Sequence, residues 1–360
     1  MKPFAVTLAA VFAAQFASAQ TPEVKTAEQV YKNIQQLKGT PADQLNAAMQ
    51  FISVSLGVEC ETCHVAGKFD ADDKNAKKTA REMMAMTAAI NKDSFRGQRQ
   101  VTCYSCHRGS LRPVAVPPVQ DSDTPPARPT PPAPPAAGAP PAPTVDDIIN
   151  KYLSAVGGAD RMKTIASRVM KGTVIAMGSE SAIDIYTKAP NKRVSISHQS
   201  PTSDSYTAFD GTMGWLGTTG RAAREMSPTE AFASSLDADF YLVAHLKDLF
   251  PQIRRGRPAD VAGTMCETIS GSKPGQPPVV LYFDQKTGLL QRMVRSADTP
   301  MGRMPTQIDY ADYREVDGVK TPWRWTLART NGRFTIQLKE VKNNVAIDDS
   351  KFAKPEGEVK

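Results

Sequence analysis

The chain has 360 residues, 44 Lys+Arg against 37 Asp+Glu, and only four histidines and five cysteines. That length admits two domains or more. The net charge of +7 would hint at nucleic acid in a cytosolic protein, but an N-terminal export leader removes that reading, and no later segment is apolar enough to cross a bilayer.

In chain order, residues 1–19 read as a cleavable secretory signal. Lys2 is the positive end, Phe4 to Phe16 is apolar, and Ala17-Ser18-Ala19 precedes Gln20. No cysteine follows the cleavage point, so the mature chain is expected to be exported or periplasmic, with neither lipid anchor nor transmembrane helix. Residues 20–112 carry thirteen Lys/Arg against ten Asp/Glu, a small excess that says little about a partner.

Residues 26–39 predict a first helix, with Val30, Ile34 and Leu37 at helical spacing and Gly39 as its stop. A second follows, capped by Thr40 with Pro41 at its first position. Leu45, Met49, Ile52 and Leu56 line one face, and Gly57 ends it. A third is expected over 75–90. Ala80, Met83, Met84 and Thr87 make its apolar side, Lys74, Lys77, Lys78 and Arg81 its solvent side, and a polar loop over 91–100 follows.

Cys60-Glu61-Thr62-Cys63-His64 and Cys103-Tyr104-Ser105-Cys106-His107 are two Cys-x-x-Cys-His motifs. This is the attachment pattern of c-type haem: a helical turn puts both sulfurs at one macrocycle edge and the histidine beneath the iron. Together they use four of the five cysteines and two of the four histidines. Structural zinc could also take Cys and His in fours, and a lone Cys-x-x-Cys could be a thiol redox site, though that needs no histidine. Two covalent haem c groups are therefore expected, ironed by His64 and His107. A methionine as sixth ligand suits electron transfer. Met49 is the candidate for the first haem, and Met83, Met84 or Met86 for the second; as plain core residues these methionines would merely fill gaps.

The stretches Val30–Gly39, Met49–Cys60, Ala80–Asn91 and Val101–Gly109 resemble the cytochrome c subunit of photosynthetic reaction centres and its relatives in non-photosynthetic bacteria. The resemblance implies that each haem takes its axial methionine from the helix before its motif. By position these are Met49 and Met83, with Met86 in reserve on the same face and Met84 off it. That subunit carries four haem motifs, and this chain two. Its loop before the corresponding motif holds a histidine for another haem; residues 91–100 contain none. The resemblance thus implies a mainly α, di-haem electron-transfer domain over 20–112, not photosynthesis.

Thirteen of the 28 prolines fall in residues 113–144, which read as a semi-rigid Pro/Ala-rich linker. Residues 145–360 begin with an amphipathic helix (Ile148, Ile149, Tyr152, Leu153, Val156) stopped by Gly157-Gly158. Strands are expected over 169–175, 182–186, 193–197, 206–209, 264–270, 279–283, 290–296, 306–314, 322–329 and 334–341, with helical stretches near 229–236 and 241–249. The order suits an α+β domain with an antiparallel sheet curled around one or two helices. Lys188–Lys192, Phe209–Trp215, Phe283–Leu289 and Phe352-x-x-Pro355 weakly resemble the half-barrels of periplasmic lipoprotein carriers. That resemblance implies a site for an apolar ligand, a lipid or a quinone, placed near Trp215, Trp323 and Trp325. Cys266 reads as a buried, inert thiol, His198 and His245 as non-ligands, and Arg254–Arg257 as a solvated turn.

The expectation is an exported di-haem cytochrome relaying single electrons between a redox protein or membrane electron-transfer complex and a second partner, with a tethered β-rich domain. A peroxidase-like enzyme would need one five-coordinate iron. A carrier or sensor would need a lipid or quinone bound by the sheet.

Overall fold

A computed structural model describes residues 25–114, 141–176, 178–330 and 332–355. The expected leader lies outside the described residues, as does most of the expected linker.

The first region is helical. In α1 (Ala27–Val30) the Gln29 side chain caps the start, the Thr26 amide donating to Gln29 Oε1 at 2.8 Å. The helix expected over 26–39 stops after this single turn. Asn33 enters the left-handed region at φ 60° and its amide donates to the Asp70 carbonyl (2.6 Å) and to Asp72 Oδ1 (2.9 Å). These tertiary bonds outweigh the modest helix propensity of the stretch. A 3-10 turn at Ala42–Gln44 leads into α2 (Leu45–Leu56), closed by Gly57 at φ 63° as expected. α3 (Asn75–Phe95) runs more than a turn into the stretch read as a loop. α4 (Cys103–His107) is the second motif itself.

After α5 (Val145–Ala155) and α6 (Ala159–Lys163), the chain forms one antiparallel sheet. Its strands are β1 (Ser167–Ala176), β2 (Ser179–Lys188), β3 (Lys192–Ser200), β4 (Ser203–Phe209), β5 (Gly214–Thr218) and β6 (Arg224–Glu225). Then come α7 (Pro228–Ala238) and α8 (Leu246–Leu249). β7 (Gln252–Arg255), β8 (Ala259–Val261), β9 (Thr264–Ser272), β10 (Val279–Asp284) and β11 (Leu290–Thr299) follow. β12 (Gly302–Val316), β13 (Val319–Arg329) and β14 (Gly332–Asn343) complete it. The order is β6-β5-β4-β3-β2-β1-β14-β13-β12-β11-β10-β9-β7, with β8 also on β9. Both halves are meanders, and β1 beside β14 joins them. At that seam the register slips between Lys171 and Gly172. A side chain at 172 would lie 2.2 Å from the Gln337 carbonyl oxygen, so only glycine fits the bulge.

One apolar core joins Ile148 of α5, Leu236 of α7 and Leu246 of α8 to Ile185, Ile269, Leu281, Met293 and Ile336 of the sheet. The helices thus cover one face of a curled sheet. β5 to β8 were not expected from sequence. The stretch read as a solvated turn instead supplies Arg254 and Arg255 to β7, where Arg255 pairs with Glu267 at 2.8 Å. Among the described residues no helix is long and apolar enough to cross a membrane.

Candidate functional site

The first motif follows directly from the end of α2. Gly57 and Val58 close that helix by donating to the Val54 (3.3 Å) and Ser53 (3.1 Å) carbonyls. Cys60–Thr62 then makes one 3-10 turn, with the Cys63 and His64 amides both on the Cys60 carbonyl at 3.2 and 3.0 Å. In the second motif Thr102 caps α4, its amide bonded to Ser105 Oγ at 3.0 Å. In both motifs, spacings of three and four residues place the two cysteines and the histidine on one side of a turn.

The two motifs are also tied together. The Gly109 amide donates to the Ser55 carbonyl at 2.9 Å. A Cβ at Gly57 would sit 2.1 Å from the Gly109 carbonyl oxygen, so the end of α2 rests on the backbone just after His107. Buried Asn91 sets the entry to the second motif: its amide donates to the Thr87 (3.0 Å) and Val101 (2.7 Å) carbonyls, and its oxygen accepts from Gln100 and Val101 at 2.9 Å each.

Both histidines are held alike. His64 Nδ1 lies 2.9 Å from the Phe69 carbonyl oxygen and His107 Nδ1 lies 3.0 Å from that of Ser110. A carbonyl only accepts, so Nδ1 carries the proton and the neutral ring keeps its lone pair on Nε2. That is the tautomer and orientation a metal-ligating histidine needs.

The methionines lie beside apolar surface. Met49 is half-buried at the border of the α2 face formed by Ala48, Phe51, Ser55 and Leu56. On α3, Met83 is 37% and Met86 46% exposed, and Met84 is half-buried. The only buried residues of this 21-residue helix are Lys77 and Asn91. Lys77 was expected to face solvent; it does not. Its ammonium reaches the Phe69 and Ala71 carbonyls, and Arg81 beside it pairs with Asp72 at 2.8 Å. Sequence periodicity counted both as polar-face residues. The available signal was the acidic run Asp70–Asp73 immediately before the helix.

Among the described residues no three His, Cys, Asp or Glu converge where one metal ion could sit, and no two cysteines are joined in a disulfide. Burial pushes the Cys63 and Cys103 thiols up, away from the lowered value of a reactive redox thiol. The zinc and thiol-redox readings therefore gain nothing, whereas the residues fit a c-type haem: paired thiols, a histidine with Nε2 free, and apolar side chains left on the surface. Of the exposed large apolar residues, Phe69, Met83, Met86, Phe95, Tyr104 and Leu111 all belong to this region.

In the sheet, Cys266 is fully buried and its thiol is pushed up to about 11 by burial. His198 pairs with Asp204 (2.8 Å) and Asp184 (3.5 Å), and His245 with Asp239 (3.0 Å). The three tryptophans fall in two separate apolar clusters. Trp215 packs with Val194, Ala208 and Phe352, while Trp323 and Trp325 join the main core. Clefts of about 380 Å³ (Asp147, Lys151, Glu267, Gln285) and about 80 Å³ (Arg168, Phe240, Tyr241, Thr321) have no tryptophan in their walls.

Residues 5–130 match the family model of the photosynthetic reaction centre cytochrome C subunit. The photosynthetic reaction center cytochrome c subunit of Thermochromatium tepidum is 35% identical over 91 residues, 24% of this chain and 22% of that protein. The same subunit of Roseobacter denitrificans is 30% identical over 100 residues, 25% of this chain and 27% of that protein. Among solved structures, a DUF1329 family protein from Desulfovibrio piger covers 58% of this chain and 97% of its own (TM-score 0.40, 15% identity). A LolA superfamily protein from Nitrosomonas europaea covers 59% and 99% (TM-score 0.41, 11% identity). The N-terminal region of the chain thus resembles the photosynthetic reaction centre cytochrome c subunit, over about a quarter of the length of those relatives.

Proposed function

We propose that the chain is an exported di-haem c-type cytochrome that relays single electrons. Cys60 and Cys63 would hold one haem and Cys103 and Cys106 the other, with His64 and Met49 as iron ligands of the first and His107 and Met83 as those of the second. When bound, such a haem supplies a one-electron couple. The polypeptide holds each imidazole in one tautomer, keeps Nε2 free and lines the site with apolar side chains. One electron arrives from a reduced redox protein or membrane electron-transfer complex and one leaves to an oxidised partner, with no bond made or broken. The sheet domain serves for docking, or for an apolar ligand such as a lipid or quinone.

The observation that carries this reading is the matched fixing of the two motif histidines through Nδ1. Intact mass and reduced-minus-oxidised spectra test it in a host competent for haem attachment. Wild type is expected to carry two covalent haems and low-spin spectra, and C60S/C63S and C103S/C106S one haem each. Met49→Ala and Met83→Ala should each perturb a different half of the spectrum. A chain without covalent haem would overturn the reading, and a high-spin iron in wild type would replace the relay by a peroxidase-like enzyme.

A further inference from the structure

The two histidine anchors differ in what else they touch. The Phe69 carbonyl oxygen accepts from His64 Nδ1 at 2.9 Å and also from Lys77 Nζ at 3.0 Å. The same ammonium donates to the Ala71 carbonyl at 2.7 Å and pairs with Asp72 Oδ1 at 3.1 Å. Lys77 is only 8% exposed, rare for a lysine unless it is paired. Its one ion-pair partner among the described residues is shared, because Asp72 Oδ1 also takes Arg81 Nη1 at 2.8 Å and the Asn33 amide at 2.9 Å. Lys74, from the same end of α3, donates to the Glu61 carbonyl inside the first motif. Asp70 and Asp73 on this loop, and Glu59 and Glu61 at the motif itself, are exposed, where water screens them. The first motif therefore faces an excess of partly buried positive charge. The Ser110 carbonyl that anchors His107 receives no side-chain cation among the described residues, and Arg108 and Arg112 beside it are exposed.

From this asymmetry we infer that Lys77 is a positioning residue that raises the reduction potential at the His64 site above that at the His107 site. The inference rests on the di-haem reading. Two effects act with the same sign. A carbonyl shared with an ammonium is a poorer acceptor, so the His64 Nδ1–H bond weakens, the ring keeps less imidazolate character, and Nε2 stabilises a ferric centre less. A buried positive charge also disfavours the extra positive charge of the oxidised form. Within the chain, an electron therefore moves from the His107 side to the His64 side. Lys77 touches neither the iron ligand's Nε2 nor the thiols; it acts through the Phe69 carbonyl and through its charge.

Spectroelectrochemical titration of the full-length haem-loaded protein tests this, with C103S/C106S identifying the couple of the His64 site. That couple is expected to be the upper of the two. Lys77→Met should lower it alone, raising its oxidised-to-reduced ratio at fixed potential about tenfold, or ~59 mV for one electron. Lys77→Arg, which keeps charge and donors, should retain the wild-type value. Should Lys77→Met fail to load haem, Asp72→Asn reads the same field with the opposite sign and should raise the upper couple. With two haems present by mass, an unmoved upper couple, a shift of the lower one, or equal shifts of both overturn the inference alone. No covalent haem in the wild type overturns the di-haem reading itself.

Discussion

Asp72 shows how one side chain can organise a site without belonging to it. Its carboxyl is lowered from 3.8 to about 2, chiefly by the Asn33 amide and then by Lys77 and Arg81. The sign follows from linkage: a depressed folded value means stability that is present above the unfolded value and lost as pH falls through the folded one. Between about pH 4 and about pH 2 the helical region should therefore lose stability as Asp72 takes up its proton. Helical circular dichroism during acid titration checks this. Asp72→Asn should flatten the slope in that window, and identical slopes in both proteins would show that Asp72 is not responsible. The effect is local, because the groups that meet at Asp72 tie the Asn33 turn and the start of α3 to the loop that carries Phe69.

At the scale of elements, α7 is joined to the sheet by a buried ion pair as well as by Leu236. Its start is well specified: Ser227 caps, Pro228 takes the first position, and Glu230 returns to the Ser227 amide at 2.9 Å while accepting both arms of Arg224 at 2.8 Å. Further along, Arg295 of β11, buried under the helix, donates to Asp237 at 2.5 and 2.7 Å and to the Ala233 carbonyl at 2.7 Å. Removing one partner of such a pair leaves the other without its counter-charge, a loss of about 3–5 kcal/mol when both are fully buried. Asp237 keeps some solvent contact, so Arg295→Ala should cost toward the lower end, about 3 kcal/mol. Urea denaturation followed by tryptophan fluorescence measures it. A loss below ~1 kcal/mol, the range of an exposed pair, would mean the pair is solvated in practice.

For the whole molecule, the helical region meets the β11–β12 hairpin. Arg99, four residues before Cys103, donates to the Thr299 carbonyl at 2.6 Å. Phe51 of α2 lies on Gly302, where a Cβ would come within 2.2 Å of its ring. The glycine is needed because an aromatic side chain occupies the space a side chain at 302 would take. Gly302→Val should therefore push the hairpin off α2, and Phe51→Ala should remove the apolar half of the contact. Scanning calorimetry of the full-length protein is expected to show each variant lowering the transition of the helical region with its haem content equal to that of the unsubstituted chain. An unchanged thermogram in both variants would show that the hairpin contact carries no coupling between the regions.

Much of the site was legible in the sequence because its spacing is local. A Cys-x-x-Cys-His turn, a glycine stop at Gly57, and the start and stop of α5 depend only on residues three or four apart, and the chain obeys them. Repeated β-alternation likewise marked ten strands and their antiparallel class. Other features depend on groups far away in the chain. The first helix ends early because Asn33 bonds to residues nearly forty positions later, and Lys77 turns inward because backbone carbonyls and a carboxylate await it there. Arg254 and Arg255 looked like a solvated turn until β9 offered them an edge. The meeting of β1 with β14 and of Phe51 with Gly302 is likewise invisible to periodicity. Sequence by itself determined the two Cys-x-x-Cys-His spacings and the single turns that carry them, since local covalent spacing decides that. Tertiary structure alone decided which charges surround each histidine, because burial and long-range hydrogen bonding are properties of the folded chain.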